Sequence, residues 1–284
     1  MNDRAMTYLR LVFIIIVFFS LMVSAACRES QADHGISPAM SSLPESNKEI
    51  NIEEQSSREL DYLKKLRQKT KQLESFKCSI EYLSRQPLLE SQTLRKGEMY
   101  YRRFEEKSKL RINFSTLQQD DYKEQKYREE YIFDGVWLTH LDYQIESARL
   151  IQQAEPNEPV DAFELAKRNF PMIGFSRIED ITREFEVGPA EEVKKGDKNY
   201  IKFHFNVKPD SRYKDEYKTV DLWIDKKLEL PSRISAVTIE EDIYEIFLKD
   251  AQVNVVIDPR LFDVKIPKHF GQPEVIPFEK SKAP

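Results

Sequence analysis

The sequence predicts a mainly β domain with helices: a single antiparallel sheet of about ten or eleven strands, curled, with helices covering its concave face. Three observations predict it. From Phe76 to Val253 apolar residues recur largely with a period of two, the pattern of strands with one buried face. Two stretches leave that period, a helix ahead of the first strand and an insertion at 161–182, and they are the only candidates to cover an apolar inner face. A sheet of this size does not stay flat, because twisted open sheets beyond about ten strands curl or split.

The composition supports a folded core. Thirteen Tyr, 17 Phe and 2 Trp in 284 residues exclude global disorder. Glycine is scarce, 7 in all, with no G-x-G and no G-x-x-x-x-G-K, so phosphate-cradling loops are excluded. A net charge of −5 argues against nucleic acid as a partner. Cys27 and Cys78 are too few for a zinc site of the usual ligand count, and no cofactor is expected.

Taken in order, residues 1–26 read as an export signal. Arg4 and Arg10 precede the apolar run Leu11–Val23, which is too short to span about 30 Å of hydrocarbon. Ser24-Ala25-Ala26-Cys27 resembles a lipobox, in which Cys27 becomes diacylated; conventional cleavage near Ala26 and retention as an anchor are the alternatives. Two acyl chains on one cysteine satisfy the requirement for stable anchoring. All three place the rest of the chain outside the cytoplasmic membrane, and Arg28 stands where many inner-membrane lipoproteins carry Asp. Residues 27–51, His34 among them, are polar and without period, a flexible tether.

Ile52 to Leu73 is helical, with Leu60, Leu63, Leu66, Thr70 and Leu73 at spacings of three and four. Its Lys and Arg residues form a solvated face, or one drawn to anionic head groups. Strands follow at 76–83, 92–104, 110–115, 127–133, 136–141 and 148–153. Asp134-Gly135 is a strong hairpin signal. Pro156 and Pro159 introduce a short helix at 161–168 with Asp161 as N-cap, then an apolar loop at 169–175 and a helical turn at 178–182. Strands resume at 185–193, 199–207, 219–225, 231–238 and 242–253. Asp258 to Phe262 reads as a helical turn, and 271–284 as a proline-containing tail beyond a domain at 52–270.

Catalytic groups are weakly signalled. Gly174-Phe-Ser176-Arg-Ile178 lacks the second glycine of a nucleophile elbow and reads as a lid loop. His140 and His204 fall singly in strands, and His269 falls in the tail. Asp120-Asp121, Glu129-Glu130 and Glu240-Glu241-Asp242 are runs of adjacent acids in which neighbours point to opposite faces; they read as solvated edges. Cys78, in a strand, reads as a buried structural thiol.

Several motifs in order resemble the outer-membrane lipoprotein carrier family, LolA, and its anchored relative LolB, over about residues 55–270. They are Leu73-Glu-Ser-Phe76, Gly97-Glu-Met-Tyr-Tyr-Arg-Arg103, Phe133-Asp-Gly-Val-Trp-Leu138, Leu222-Trp-Ile-Asp225 with Leu230-Pro231, and Asn254 to Pro267. Phe104 stands where the family carries Pro, and Trp137-Leu138 reverses its usual Leu-Trp order. The resemblance implies an incomplete β-barrel covered by helices, and at Arg103 an arginine that hydrogen-bonds backbone carbonyls of the lid helices. An ordinary ion pair with Glu105 or Glu106 is the alternative. A lumen lined by Met99, Tyr101, Leu110, Ile112, Phe114, Ile201, Phe203 and Phe205 would suit acyl chains without polar readout. The expected function is non-enzymatic binding and transfer, or acceptance, of lipids or lipoprotein acyl chains in the bacterial envelope. The protein would be exported to the periplasm and held by a lipid anchor, at the outer membrane rather than the inner. The alternatives are an envelope-stress or lipid sensor on the same fold and an assembly factor with an envelope protein partner.

Overall fold

A computed structural model describes residues 46–105, 107–163, 165 and 178–278. Helix α1 (Ser46–Lys71) begins six residues earlier than the apolar spacing indicated. Leu63, Leu66 and Thr70 are buried on one side, while Lys64, Lys65, Lys69 and Lys71 stay exposed. The basic last turn complements the negative end of the helix dipole. The basic face is a solvated surface, with Lys65 pairing Asp61 one turn back and Lys69 pairing Glu229.

The first half of the sheet is β1 (Ser75–Gln86), β2 (Ser91–Phe104), β3 (Lys107–Gln119), β4 (Gln125–Phe133), β5 (Trp137–Asp142) and β6 (Ser147–Gln152). After α2 (Ile178–Glu184) come β7 (Phe185–Val187), β8 (Glu191–Lys195), β9 (Lys198–Val207), β10 (Tyr217–Asp225), β11 (Leu230–Thr238), β12 (Ile243–Val253) and β13 (Glu274–Ile276). They form one open, curled sheet, not closed into a barrel, in the order β13-β6-β5-β4-β3-β2-β1-β12-β11-β10-β9-β7, with β8 also on β9. The long β1–β12 pairing joins two antiparallel meanders into a continuous surface.

Among the described residues the sheet has 13 strands rather than ten or eleven, for two reasons. The run expected at 185–193 is two short strands, β7 and β8, interrupted at Gly188-Pro189, since proline offers no ladder donor. The tail adds β13, which runs parallel to β6 and is pinned by an Arg149–Glu274 ion pair at 3.1 Å. The sheet is otherwise antiparallel, so this pair corrects the all-antiparallel expectation.

Two glycines are structural requirements. Gly135 has φ +104°, and the Asp134 carboxylate accepts from the backbone N–H of Val136 and Trp137 at 2.9 and 2.8 Å, closing the β4–β5 hairpin. At Gly97 a Cβ would stand 1.9 Å from the carbonyl oxygen of Asn113, where β2 and β3 shift register. Only glycine admits that approach.

The inner face carries the main core, built from α1, α2 and almost every strand. Alternation into one apolar and one wet face holds for β9 and β10. It fails on β4 and β5, whose last residues are buried on both sides. The cause is a third layer: the segment after β12 crosses their outer face. Ile257 and Phe262 pack on Tyr100, and Phe270 packs on Ile132, Leu141 and Ala148. Asn254 starts this crossing by accepting from the N–H of Glu74 at 2.9 Å, and Arg111 donates to the Leu261 carbonyl at 2.8 Å. The turn expected at Asp258–Phe262 is a 3-10 helix over Pro259–Phe262, capped by Asp258.

Candidate functional site

The apolar residues singled out from sequence meet on the inner face. Ile201, Phe203 and Phe205 on β9, Met99 and Tyr101 on β2 and Phe114 on β3 are buried in one cluster, with Leu110 and Ile112 half-buried against it. Phe203 stacks on Phe205 at 5.9 Å, and Tyr62 of α1 meets Phe203 edge-on at 6.5 Å. From the insertion, Phe163 stacks on Tyr101 at 4.4 Å, and Ile181 of α2 joins the same cluster.

Arg103 lies where these covers converge. Its Nη1 donates to the backbone carbonyl of Lys71 at 2.6 Å, one of the last carbonyls of α1 and so without an intrahelical partner. Its Nη2 donates to the Tyr101 hydroxyl at 3.4 Å, and that hydroxyl donates to Asp161 at 3.0 Å. Asp161 accepts from the N–H of Phe163 at 2.8 Å, the cap expected from sequence. One chain of polar contacts therefore runs from the end of α1 across β2 to the start of the insertion. Burial pushes the Tyr101 hydroxyl up to about 12, so it remains a donor at neutral pH.

At the far end of the same face lies a buried polar cluster that sequence reasoning missed. Glu129 and Glu130 are not solvated edges: they are 1% and 5% exposed. As expected for neighbours they face opposite ways. Glu129 points inward and accepts from Tyr127 at 2.8 Å, Tyr131 at 2.7 Å and His140 Nε2 at 2.8 Å. Arg95 Nε stands 3.5 Å from the same carboxylate. Burial would raise the Glu129 carboxyl; the His140 hydrogen bond and the Arg95 charge outweigh it and hold it below its ordinary value. Glu130 points outward and pairs with Arg111 at 2.7 Å and Arg128 at 2.9 Å beneath the crossing segment. A signal existed: alternation puts Tyr127, Glu129 and Tyr131 on one face, and the Asp134-Gly135 hairpin sets His140 opposite Tyr131.

The third feature is a groove of about 410 Å³ on the outer face, beside the β8–β9 and β10–β11 turns. Arg233 lies 4.1 Å from the Trp223 ring centre and 5.0 Å from that of Phe247, with Lys202 and Lys249 extending the ladder. Lys195, Lys198 and Asp250 border it.

Of the other candidates, Cys78 is a buried free thiol pushed up to about 12 by burial, which leaves it unreactive. His204 is a half-exposed partner of Asp221 at 2.6 Å, and His269 rests against Phe270. Asp121, Glu240 and Glu241 are exposed, whereas Asp242 is buried and accepts from Gln86 and Tyr244. Among the described residues no group of three His, Cys, Asp or Glu side chains is placed to hold a metal ion, and no helix is long and apolar enough to cross a membrane. Cys27 with the signal segment, His34, Glu106 and the Gly174–Ser176 loop lie outside the described residues.

The fold and its site thus define an open, curled sheet whose apolar concave face is covered by helices rather than by a second sheet. No family model matches the chain, and no curated protein matches it in sequence. Solved structures do resemble it. An uncharacterized conserved protein of Thermus thermophilus is 10% identical with a TM-score of 0.44, over 79% of this chain and 100% of that one. The Pseudomonas aeruginosa MucA/MucB complex gives 12% identity and a TM-score of 0.42, over 72% of this chain and 60% of the matched one. A LolA superfamily protein of Nitrosomonas europaea gives 9% identity and a TM-score of 0.29, over 69% and 94%. Likenesses this remote leave function to be read from the chain's own residues.

Proposed function

We propose that this protein is a non-enzymatic binding module of the bacterial cell envelope, taking acyl chains of lipids or lipoproteins on the inner face of its sheet. In this reading Cys27 carries the lipid that holds it at a membrane, and α1 with the insertion forms the lid. The carrying observation is the way that face is closed. Its aromatic and aliphatic side chains come from strands far apart in sequence, yet among the described residues the cover is α1 with Ala162, Phe163, Leu165 and α2, and Arg103, Tyr101 and Asp161 tie the end of α1 to the start of the insertion. Swinging such a cover away breaks a few hydrogen bonds, uncovers the apolar contacts of Leu63, Leu66 and Ile181, and leaves the sheet ladder intact. Each methylene then buried contributes about 0.8 kcal/mol, so a long chain supplies enough to offset opening.

The test is titration of the purified protein with an environment-sensitive acyl probe, followed by displacement with fatty acyl chains. Micromolar, displaceable binding is expected; its absence overturns the reading. Arg103→Leu removes the bond to the α1 carbonyl and should raise probe affinity about tenfold for each ~1.4 kcal/mol of closing energy lost, with the circular dichroism spectrum unchanged. Equal affinities would make Arg103 a purely structural tie. For the anchor, Cys27→Ser should release the protein from membranes or leave it unprocessed. Unchanged mass and fractionation would remove lipidation from the proposal.

A further inference from the structure

The polar end of the inner face holds more hydrogen-bond donors than acceptors. Tyr82 on β1 and Arg95 on β2 are direct cross-strand partners, 8% and 5% exposed. Glu129, the carboxylate that pairs with Arg95 among the described residues, already takes three hydrogen bonds, from Tyr127, Tyr131 and His140. Arg95 Nε approaches that carboxylate at 3.5 Å, too long for a hydrogen bond, and among the described residues the guanidinium otherwise meets only Tyr127, whose ring centre lies 5.4 Å from it. Asp142 accepts from the backbone N–H of Gln144 at 2.8 Å and forms no ion pair with Arg95. Among the described residues, Arg95 Nε and Nη1 and the Tyr82 hydroxyl are therefore buried with no acceptor. His140 Nδ1 is also unpartnered among the described residues. Buried donors in folded proteins are almost always paired. Here the surplus adjoins the apolar surface itself, as Tyr82, Tyr127 and Tyr131 all belong to the inner cluster.

We propose that Arg95 and Tyr82 form a head-group site that accepts the carboxyl oxygens of an acyl ligand whose chain lies along the apolar inner face. The inference rests on the acyl-binding reading above and adds to it a place for the carboxyl or ester end of the bound chain. A carboxyl end brings two oxygens for donors on two strands, while an alkyl alcohol brings one. A free fatty acid and an acyl ester share this chemistry and differ in charge.

The experiment compares displacement of the acyl probe by palmitate, methyl palmitate and hexadecanol in wild type, Tyr82→Phe and Arg95→Lys. Palmitate should bind wild type about tenfold more tightly than hexadecanol, the equivalent of one good hydrogen bond. Tyr82→Phe deletes only an unpartnered hydroxyl. It should leave the melting temperature unchanged or higher, weaken palmitate about fivefold, and leave hexadecanol unaffected. Arg95→Lys keeps a charge beside Glu129 but loses the planar donors, and should weaken palmitate further. Methyl palmitate following palmitate through both variants assigns the site to acyl esters as well; following hexadecanol, it assigns the site to the free carboxylate. Equal affinities for palmitate and hexadecanol in all three proteins overturn the head-group site and leave acyl binding standing. Failure of every ligand to bind wild type overturns acyl binding itself.

Discussion

The two wings of the sheet, β2–β6 and β9–β12, are built from the same alternation and bury their faces differently. In the β9–β12 wing Phe203, Phe205, Val220, Leu222, Ile234 and Ala236 are all 0% exposed on the inner face, while the outer face stays open and carries the Trp223–Arg233–Phe247 ladder. In the β2–β6 wing charge enters the inner face through Arg95 and Glu129, and the outer face is roofed by the segment after β12. Alternation thus determines which residues share a face, and the next layer determines whether that face is dry. A roof of chain over β4 and β5 turns an outward Glu130 into a buried anion, which persists because Arg111 and Arg128 answer it.

The sharpest way to break the comparison is to remove charge from the inner face. Glu129→Leu strands Arg95 in the interior and should cost about 3–5 kcal/mol in urea denaturation. Ile234→Val, in the wing whose inner strand face carries no charge, should cost about 0.5–1.5 kcal/mol. Adding Arg95→Met to Glu129→Leu should recover much of the larger loss, because a paired charge is worth little over apolar packing. Equal costs for the two single variants would mean that the wings do not differ in how they are held.

A second effect, smaller, is pH dependence. The Glu129 carboxyl is held below its ordinary value of 4.5 in the folded state. Its contribution to stability is therefore fully present above that value and is lost as pH falls through the lower folded value. Asp142, raised by burial, acts in the opposite sense and blunts the slope. The urea midpoint should drop from about pH 6 to about pH 3, and drop less in Glu129→Gln. Parallel curves for the two proteins would show that the acid response originates elsewhere.

Much of the fold was legible because period-two runs and turn residues are local signals. The β4–β5 hairpin follows from Asp134-Gly135, and β9 from Ile201, Phe203 and Phe205. What escaped was non-local. Glu274-Val275-Ile276 is too short to read as a strand until β6 lies beside it, and Glu129 reads as solvent-facing until Arg95, 34 positions earlier, is set against it by the β2–β3–β4 register. The apolar part of the site was legible for the reason the polar part was not. A greasy face announces itself by alternation, whereas a buried carboxylate looks like a surface one until its partners are known.

The smallest expected effect separates the two outer faces. In the roofed wing the side chains of Arg111 and Glu130 are 15% and 7% exposed, so their hydrogen bond is shielded from water. In the open wing Trp223 and Arg233 are half-buried and meet through the ring face. Arg233 also pairs with Glu245, a 7%-exposed carboxylate that Arg85 approaches at 3.8 Å. Replacing Arg233 alone would therefore report mainly on Glu245. A double-mutant cycle removes that contribution, because the loss at Glu245 is common to both legs of the cycle. The Trp223→Leu, Arg233→Met cycle should give a coupling of about 0.5–1 kcal/mol, the range of an exposed cation–π contact. The Arg111→Met, Glu130→Gln cycle should give about 1.5–3 kcal/mol, as for a hydrogen bond between charged groups. High salt should leave both nearly unchanged, since neither pair is fully exposed. A Trp223–Arg233 coupling as large as the roofed pair's would mean that an open face can hold a cation as firmly as a covered one, and the distinction between the wings would reduce to their inner faces.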